Sequence, residues 1–281
     1  MKAKNIDELI VMLEQIMETS IAKKSRVGFF AALYHTVTCR VKQGILNNEF
    51  EDNARMERLD VTFANRYLEA VSNYEDNKVP TSSWDIAFQS SKKSRYLLLH
   101  HLLLGINAHI NLDLGISTVE VSANPDLKAI QKDFNDINRI LAELTAEFVN
   151  KIDHISPFLS LLGLHAKNYN SVFIQFAISA ARDGAWVFAE ELAGKTGNER
   201  PGCIDERDKK IRKLGEGIIH GSFLLRVSIF IIRLFEWRNP SRIIRELYTN
   251  QKTYFSINES KVTISQTKST GIPDGKSKIK D

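Results

Sequence analysis

Along most of this chain apolar residues recur at intervals of three and four and almost nowhere at intervals of two, the spacing of an amphipathic α-helix and not of a half-buried strand. Ile6, Leu9, Ile10, Leu13, Ile16 and Met17 trace one stripe over residues 6–21. A second, over 26–45, carries Phe29, Phe30, Leu33, Tyr34, Val37 and Val41. A third, over 53–74, carries Met56, Leu59, Phe63, Tyr67 and Ala70, with Asp60 beside them. Pro80-Thr81-Ser82-Ser83 then opens a helix that holds Trp84 and Phe88, since proline and short hydroxyl side chains suit a helix start. Residues 96–116, YLLLHHLLLGINAHINLDLGI, are apolar nearly all round, as expected of a helix enclosed by its neighbours.

Downstream, Asn124-Pro125-Asp126 starts a helix that runs through Phe134, Ile137 and Leu141 to about residue 152, and Ser156-Pro157 begins a shorter apolar segment. A helix over 169–192, a polar loop over 194–201 and a long apolar helix over 209–237 follow. Asn239-Pro240-Ser241 restarts a last amphipathic helix to about residue 248. Only 261–267 alternates, and weakly. The pattern predicts an all-α fold: a single multi-helix bundle over residues 1–250 around a central apolar helix. Residues 251–281, rich in Ser, Thr and Lys, have too little to bury and are expected to form a disordered, flexible tail.

Charge sharpens that division. The net charge is +4, and from residue 251 onward six lysines face three acids, so +3 of it belongs to the tail and the body is nearly neutral. A basic stripe on a folded face, which nucleic-acid binding requires, is missing, so no nucleic-acid partner is expected. Cys39 and Cys203 belong to no CxxC pair and read as free thiols. The N-terminal residues interleave acids with apolar positions and do not resemble a signal peptide, which makes the cytoplasm the default location. Residues 217–237 have the length of a membrane span, but Arg226 and Arg233 interrupt them. A buried helix is the reading adopted, with membrane-surface association the lesser alternative.

The candidate chemistry lies on the central helix. His109 and Asp113, four apart, share a face at a separation suited to holding a metal or passing a proton. Asn107 and Asn111 repeat that relation on another face. His101, eight residues before His109, is a better second histidine than His100. Buried polar groups need partners, and two readings stay open. In one, Asp113 pairs with Arg182 or Arg66 inside a structural network. In the other, the group lines a pocket for a metal or polar ligand. Glu57, Asp60, Asn65 and Tyr67 on one helix and Arg182, Asp183, Trp186 and Glu190 on another supply further candidates. GxGxxG, P-loop, HExxH, GxSxG and DDxxD patterns are absent from the sequence.

These strings resemble a bacterial family of unknown function, domain of unknown function 5995. The resemblance spans about residues 29–225 and is carried by FAALYHTVT at 30–38, MERLDVTFANRYL at 56–68, GINAHINLDL at 105–114, DFNDIN at 133–138 and ARDGAWVFAEEL at 181–192. The family pattern often has a second His where this chain has Leu112 and a Pro where it has Gly115, which removes any ligand role at 112. The resemblance implies that Asp60, Asn107, His109, Asn111, Asp113, Asp133, Arg182, Asp183 and Trp186 converge on one place. It implies no reaction.

Two classes of function follow. As an enzyme acting on a small molecule, the protein would use His109, Asp113, Asp60 and Arg182 catalytically. Asn107, Asn111, Tyr67, Asp183 and Trp186 would contact substrate, and His109, Asp113 and Asp60 would hold a divalent Zn, Mg or Fe. Hydrolysis is its default reaction, and a magnesium-dependent lyase or cyclase on a prenyl-type substrate the variant. As a non-catalytic module, it would bind a ligand or a protein, with the polar cluster a structural network.

Overall fold

The computed structural model describes residues 2–122, 127–159, 169–220 and 223–248; for 169–177 and 223–225 it describes the backbone alone. Among these residues every regular element is helical. Helices α1 (Ile6–Lys23), α2 (Gly28–Leu46) and α3 (Asn53–Glu75) follow the first three stripes, and α4 (Ser82–Ser91) follows the serine pair. Then α5 (Leu98–Ala108), a π-helical segment (His109–Leu114) and α6 (Gly115–Val121) run on as one continuous helix. Beyond it come α7 (Lys128–Ile155), α8 (Tyr169–Ala193), α9 (Arg200–Ile219), α10 (Phe223–Phe235) and α11 (Pro240–Tyr248).

Local caps start some of these helices. The Asn5 side chain accepts from the Glu8 amide at 2.8 Å and that of Asp52 from the Arg55 amide at 2.9 Å, each satisfying an amide that has no partner within the helix. Other starts are completed from far away. Asp208 on α9 takes the amides of Ser82 and Ser83 at the head of α4, and Glu236 takes that of Leu98 at the head of α5. Asp133 on α7 takes those of Glu51 and Asp52 just ahead of α3.

The helix Leu98–Val121 is long and apolar enough to cross a membrane, yet it is the centre of the bundle, where Leu98, Leu102, Leu104, Ala108, Leu112 and Ile116 are all buried. Two glycines permit the closest approaches to it. A Cβ on Gly105 would lie 2.4 Å from the Phe30 ring of α2, and one on Gly115 would lie 2.7 Å from the Phe188 ring and 2.9 Å from the Ala185 carbonyl of α8. In this way α2 and α8 press on opposite ends of the π segment.

Several expectations are corrected. Residues 209–237 do not form one buried helix: α9 ends at Ile219, and α10 begins at Phe223. Only one side of α10 turns inward, through Ile232, whereas Phe230, Leu234 and Phe235 are exposed. A segment apolar on all faces cannot bury every face against one layer of neighbours. The loop after α8 is also shorter than predicted, because Pro201 lies in the first turn of α9, where its missing amide costs nothing. The helix start read at 124–126, the segment after residue 159 and the tail 251–281 lie outside the described residues.

Candidate functional site

Residues 109–114 of the central helix form the π segment, a widened turn that breaks the α-helical register and is found often at functional sites. His109 at its start is 2% exposed, and its Nδ1 lies 3.2 Å from Asp113 Oδ2. The carboxylate also accepts from Trp84 Nε1 at 2.8 Å and from Arg66 Nε at 3.1 Å. With an indole and a guanidinium donating to it, Asp113 acts as acceptor. The proton between the pair therefore belongs to Nδ1, and Nε2 keeps the lone pair. Burial depresses the basicity of the ring, the Asp113 hydrogen bond and charge oppose that, and Arg66 reinforces it; the net shift is downward. The imidazole is held neutral, stacked on Phe63 at 3.6 Å with 7° between planes and with the Tyr34 ring against it at 4.6 Å.

Nε2 of this clamped ring is buried and has no hydrogen-bond partner among the described residues. His109 is one of the residues that line a cavity of about 140 Å³ between α2, α3, α5, α7 and α8. A single water needs only about 10–15 Å³ on that measure. Most of the wall is Leu, Ile, Val, Met and Phe. Four wall residues carry a buried polar atom that no described residue satisfies: Tyr34 Oη, Asp60 Oδ2, His109 Nε2 and Arg182 Nε.

Each of these groups is altered by its surroundings. Burial, helped by the charge of Glu57, pushes the Asp60 carboxyl up to about 7, and burial drives the Tyr34 phenol well above its usual value. Arg182 is 3% exposed, and burial lowers it to about 9 against the pull of Asp183. Its Nη2 donates to the Phe134 carbonyl, and its guanidinium lies over the Phe134 ring at 4.5 Å. Among the described residues no carboxylate forms an ion pair with it.

The structure separates residues that the sequence grouped. Asp60, His109 and Arg182 line the cavity, and Asp113 stands behind His109 with both oxygens engaged. Arg66, not Arg182, is its charged partner. Asn107 and Asn111 lie on another face of the helix, where Asn107 Nδ2 donates to the Ile211 carbonyl at 2.9 Å and Asn111 Nδ2 donates to Asn107 Oδ1 at 3.1 Å. Tyr67 lies behind Phe30, outside the main cavity. Asp183 is exposed, and Trp186 Nε1 donates to Glu190, one turn along α8. Asp133 serves the start of α3 and pairs with Arg55. Asn65 holds the Ala3 backbone. His101 packs against Phe29 and Tyr96, pushed by burial down to about 3; eight helical residues place it about 12 Å along the axis from His109.

The expected metal triad of His109, Asp113 and Asp60 is not assembled. Among the described residues no three His, Cys, Asp or Glu side chains come together to share an ion, and the Asp113 oxygens that would bind it are occupied by donors. Sequence reasoning did not single out Tyr34, Phe63 or Trp84 as site residues. Tyr34 and Phe63 stand inside the FAALYHTVT and MERLDVTFANRYL strings, which was the available signal.

Fold and site together define an all-helical protein with an apolar cavity, one wall of which carries a buried His–Asp dyad. The chain belongs to the family of unknown function DUF5995, whose model matches residues 6–221. No curated protein and no solved structure matches the chain.

Proposed function

We propose that the protein is an enzyme that transfers protons on a largely apolar small molecule held beside His109, with hydrolysis of an acyl bond as its reaction. The observation that carries this reading is His109: its ring lines a cavity, is fixed through Nδ1 by Asp113, and leaves Nε2 buried without a partner among the described residues. A buried polar group without a partner costs about 1–3 kcal/mol, so a wall with four of them has a use for them other than packing.

The roles follow from the chemistry of each group. Nε2 takes a proton from a water as its oxygen adds to the acyl carbonyl, and Asp113 steadies the imidazolium that results. Arg182 and Tyr34 are the donors for the oxyanion. As the carbonyl re-forms, the bond to the leaving oxygen breaks and that oxygen takes the Asp60 proton. The imidazolium then restores Asp60, so ester and water become acid and alcohol. An Asp titrating near 7 is suited to both halves of that exchange.

The test is turnover of a series of aryl esters by the purified protein and by His109→Gln. Loss of about 10²-fold or more in kcat, with a melting transition still cooperative, is the expected result. Equal turnover by both proteins overturns the reading. The apolar character of most of the wall favours a second reading, a non-catalytic carrier. It expects ligand binding without turnover in either protein. A magnesium-dependent cyclase is less well supported, since Asn107 and Asn111, which would stand at its mouth, face α9 instead.

A further inference from the structure

We infer that the acyl group this cavity takes is a long, unbranched monocarboxylic chain, lying between α5 and α7 with its carboxyl end at Arg182. The inference deepens the acyl-hydrolase reading and rests on it for the reaction, though not for binding.

Shape is the first argument. Cavity-lining residues on α7 run from Ile137 to Ile152, and those on the central helix from Leu99 to Leu114. Fifteen residues of helix cover about 22 Å. The lining residues thus outline an elongated cavity of about 140 Å³ between the two helices. An extended methylene chain, which needs length more than breadth, suits such a space better than a compact or fused-ring ligand.

The channel also has two unlike ends. Arg182, resting on Phe134, marks one, together with His109, Ile110 and Leu114. Leu99, Leu103, Phe148, Val149 and Ile152 mark the other, where the one polar lining side chain nearby, Thr145, is bonded to the Leu141 carbonyl. A molecule that satisfies both ends is an amphiphile with its polar group at one terminus.

Charge then selects the head. Arg66 pairs with Asp113, and below about pH 7 Asp60 keeps its proton, so among the described residues the Arg182 charge has no ion-pair partner at the wall. A monoanion neutralises it. A dianionic phosphate would overshoot that single charge and leave net negative charge against a largely apolar wall, which is costly. The free Nε of Arg182 has the planar geometry that a carboxylate oxygen meets well.

The experiment uses the full chain and the fluorescent probe cis-parinaric acid, displaced by a series of saturated fatty acids and by primary alcohols of the same lengths. Acids should displace it, each added methylene tightening binding about three- to fourfold until the channel is full. Matched alcohols should bind at least tenfold more weakly, and Arg182→Met should erase that gap. Failure of the probe to bind, equal affinity for acids and alcohols, or indifference to chain length overturns the inference. If Arg182→Met does not fold, the acid–alcohol comparison on the unaltered protein still decides. Leu144→Trp, which fills the apolar half, should abolish long-chain binding, and unchanged binding counts against the channel. Tight acid binding with no ester turnover leaves this inference standing and removes the enzyme reading. Turnover lost in His109→Gln without any binding of long acids does the reverse.

Discussion

The central helix carries polar residues on two faces, and the faces differ in one respect. Toward α9, Asn111 donates to Asn107, Asn107 donates to the Ile211 carbonyl, and Arg207 donates to the Asn111 and Gly184 carbonyls. This face joins α9 to the helix by polar contacts. Toward α2, α3 and α7 the same helix presents His109, with Asp113 bonded behind it and Nε2 left without a partner among the described residues, in the wall of a cavity that Asp60 and Arg182 also line. Amides and acids in an apolar helix therefore do not in themselves mark a site. What marks it is a polar atom whose partner the protein does not supply.

The contrast can be broken or sharpened by substitution. Asp113→Ala should have the largest effect, because it strands the Trp84 indole and His109 at once and leaves Arg66 with Glu120 alone; a loss of about 3–5 kcal/mol is expected in urea unfolding. A loss below 1 kcal/mol would show that Asp113 does not hold that wall together. Asp60→Asn should act in the opposite direction and depend on pH. The folded protein keeps the Asp60 proton up to about 7, against 3.8 ordinarily, so between those values the native state binds more protons and its stability falls as pH rises. Above 7 the penalty is complete, on the order of a few kcal/mol. The variant's melting advantage should be absent at pH 4, grow toward pH 7 and then level off; a flat difference contradicts the buried, unpaired state of this acid.

Smaller effects belong to the satisfied face. Asn107→Ala removes the bond to Ile211 and should cost about 1–3 kcal/mol while leaving ligand affinity unchanged; altered affinity at undiminished stability would merge the two faces into one site. Asn111→Ala, at a half-buried position with one amide bond, should cost less than about 1 kcal/mol, measured in the same titrations.

Periodicity made the helices legible, and the all-round apolar stretch correctly identified the central one. The π segment was not legible, since the stripe of residues 96–116 reads as an unbroken helix and one extra residue in a turn leaves no compositional trace. The break between α9 and α10 was hidden for a similar reason, apolar residues continuing across it. At the site, Asp60, His109 and Arg182 stood out as polar residues on apolar helices. Which polar residues were already paired could not be read locally, because the deciding partners are distant: Arg66 and Trp84 precede Asp113 by 47 and 29 residues, and Ile211 follows Asn107 by 104. The sequence reading set a structural network against an open pocket. The central helix carries a satisfied network on one face and an open cavity on the other.

The three carboxylates that complete helix starts from afar bear on how the chain folds. Asp133 reaches back 82 residues to the Glu51 amide, Asp208 reaches 126 to Ser82, and Glu236 reaches 138 to Leu98. A nascent chain that has made α4 and the central helix has not yet made the groups that finish their first turns, nor, for α3, the one that holds the two amides just ahead of it. Contacts at such separation close large loops before they return any stability, which slows the search for the native state. The starts of these helices should therefore become protected from hydrogen exchange late in refolding, together and not one by one. Until then the apolar central helix is uncovered, and the interval in which this protein is most prone to aggregate ends when Glu236 arrives.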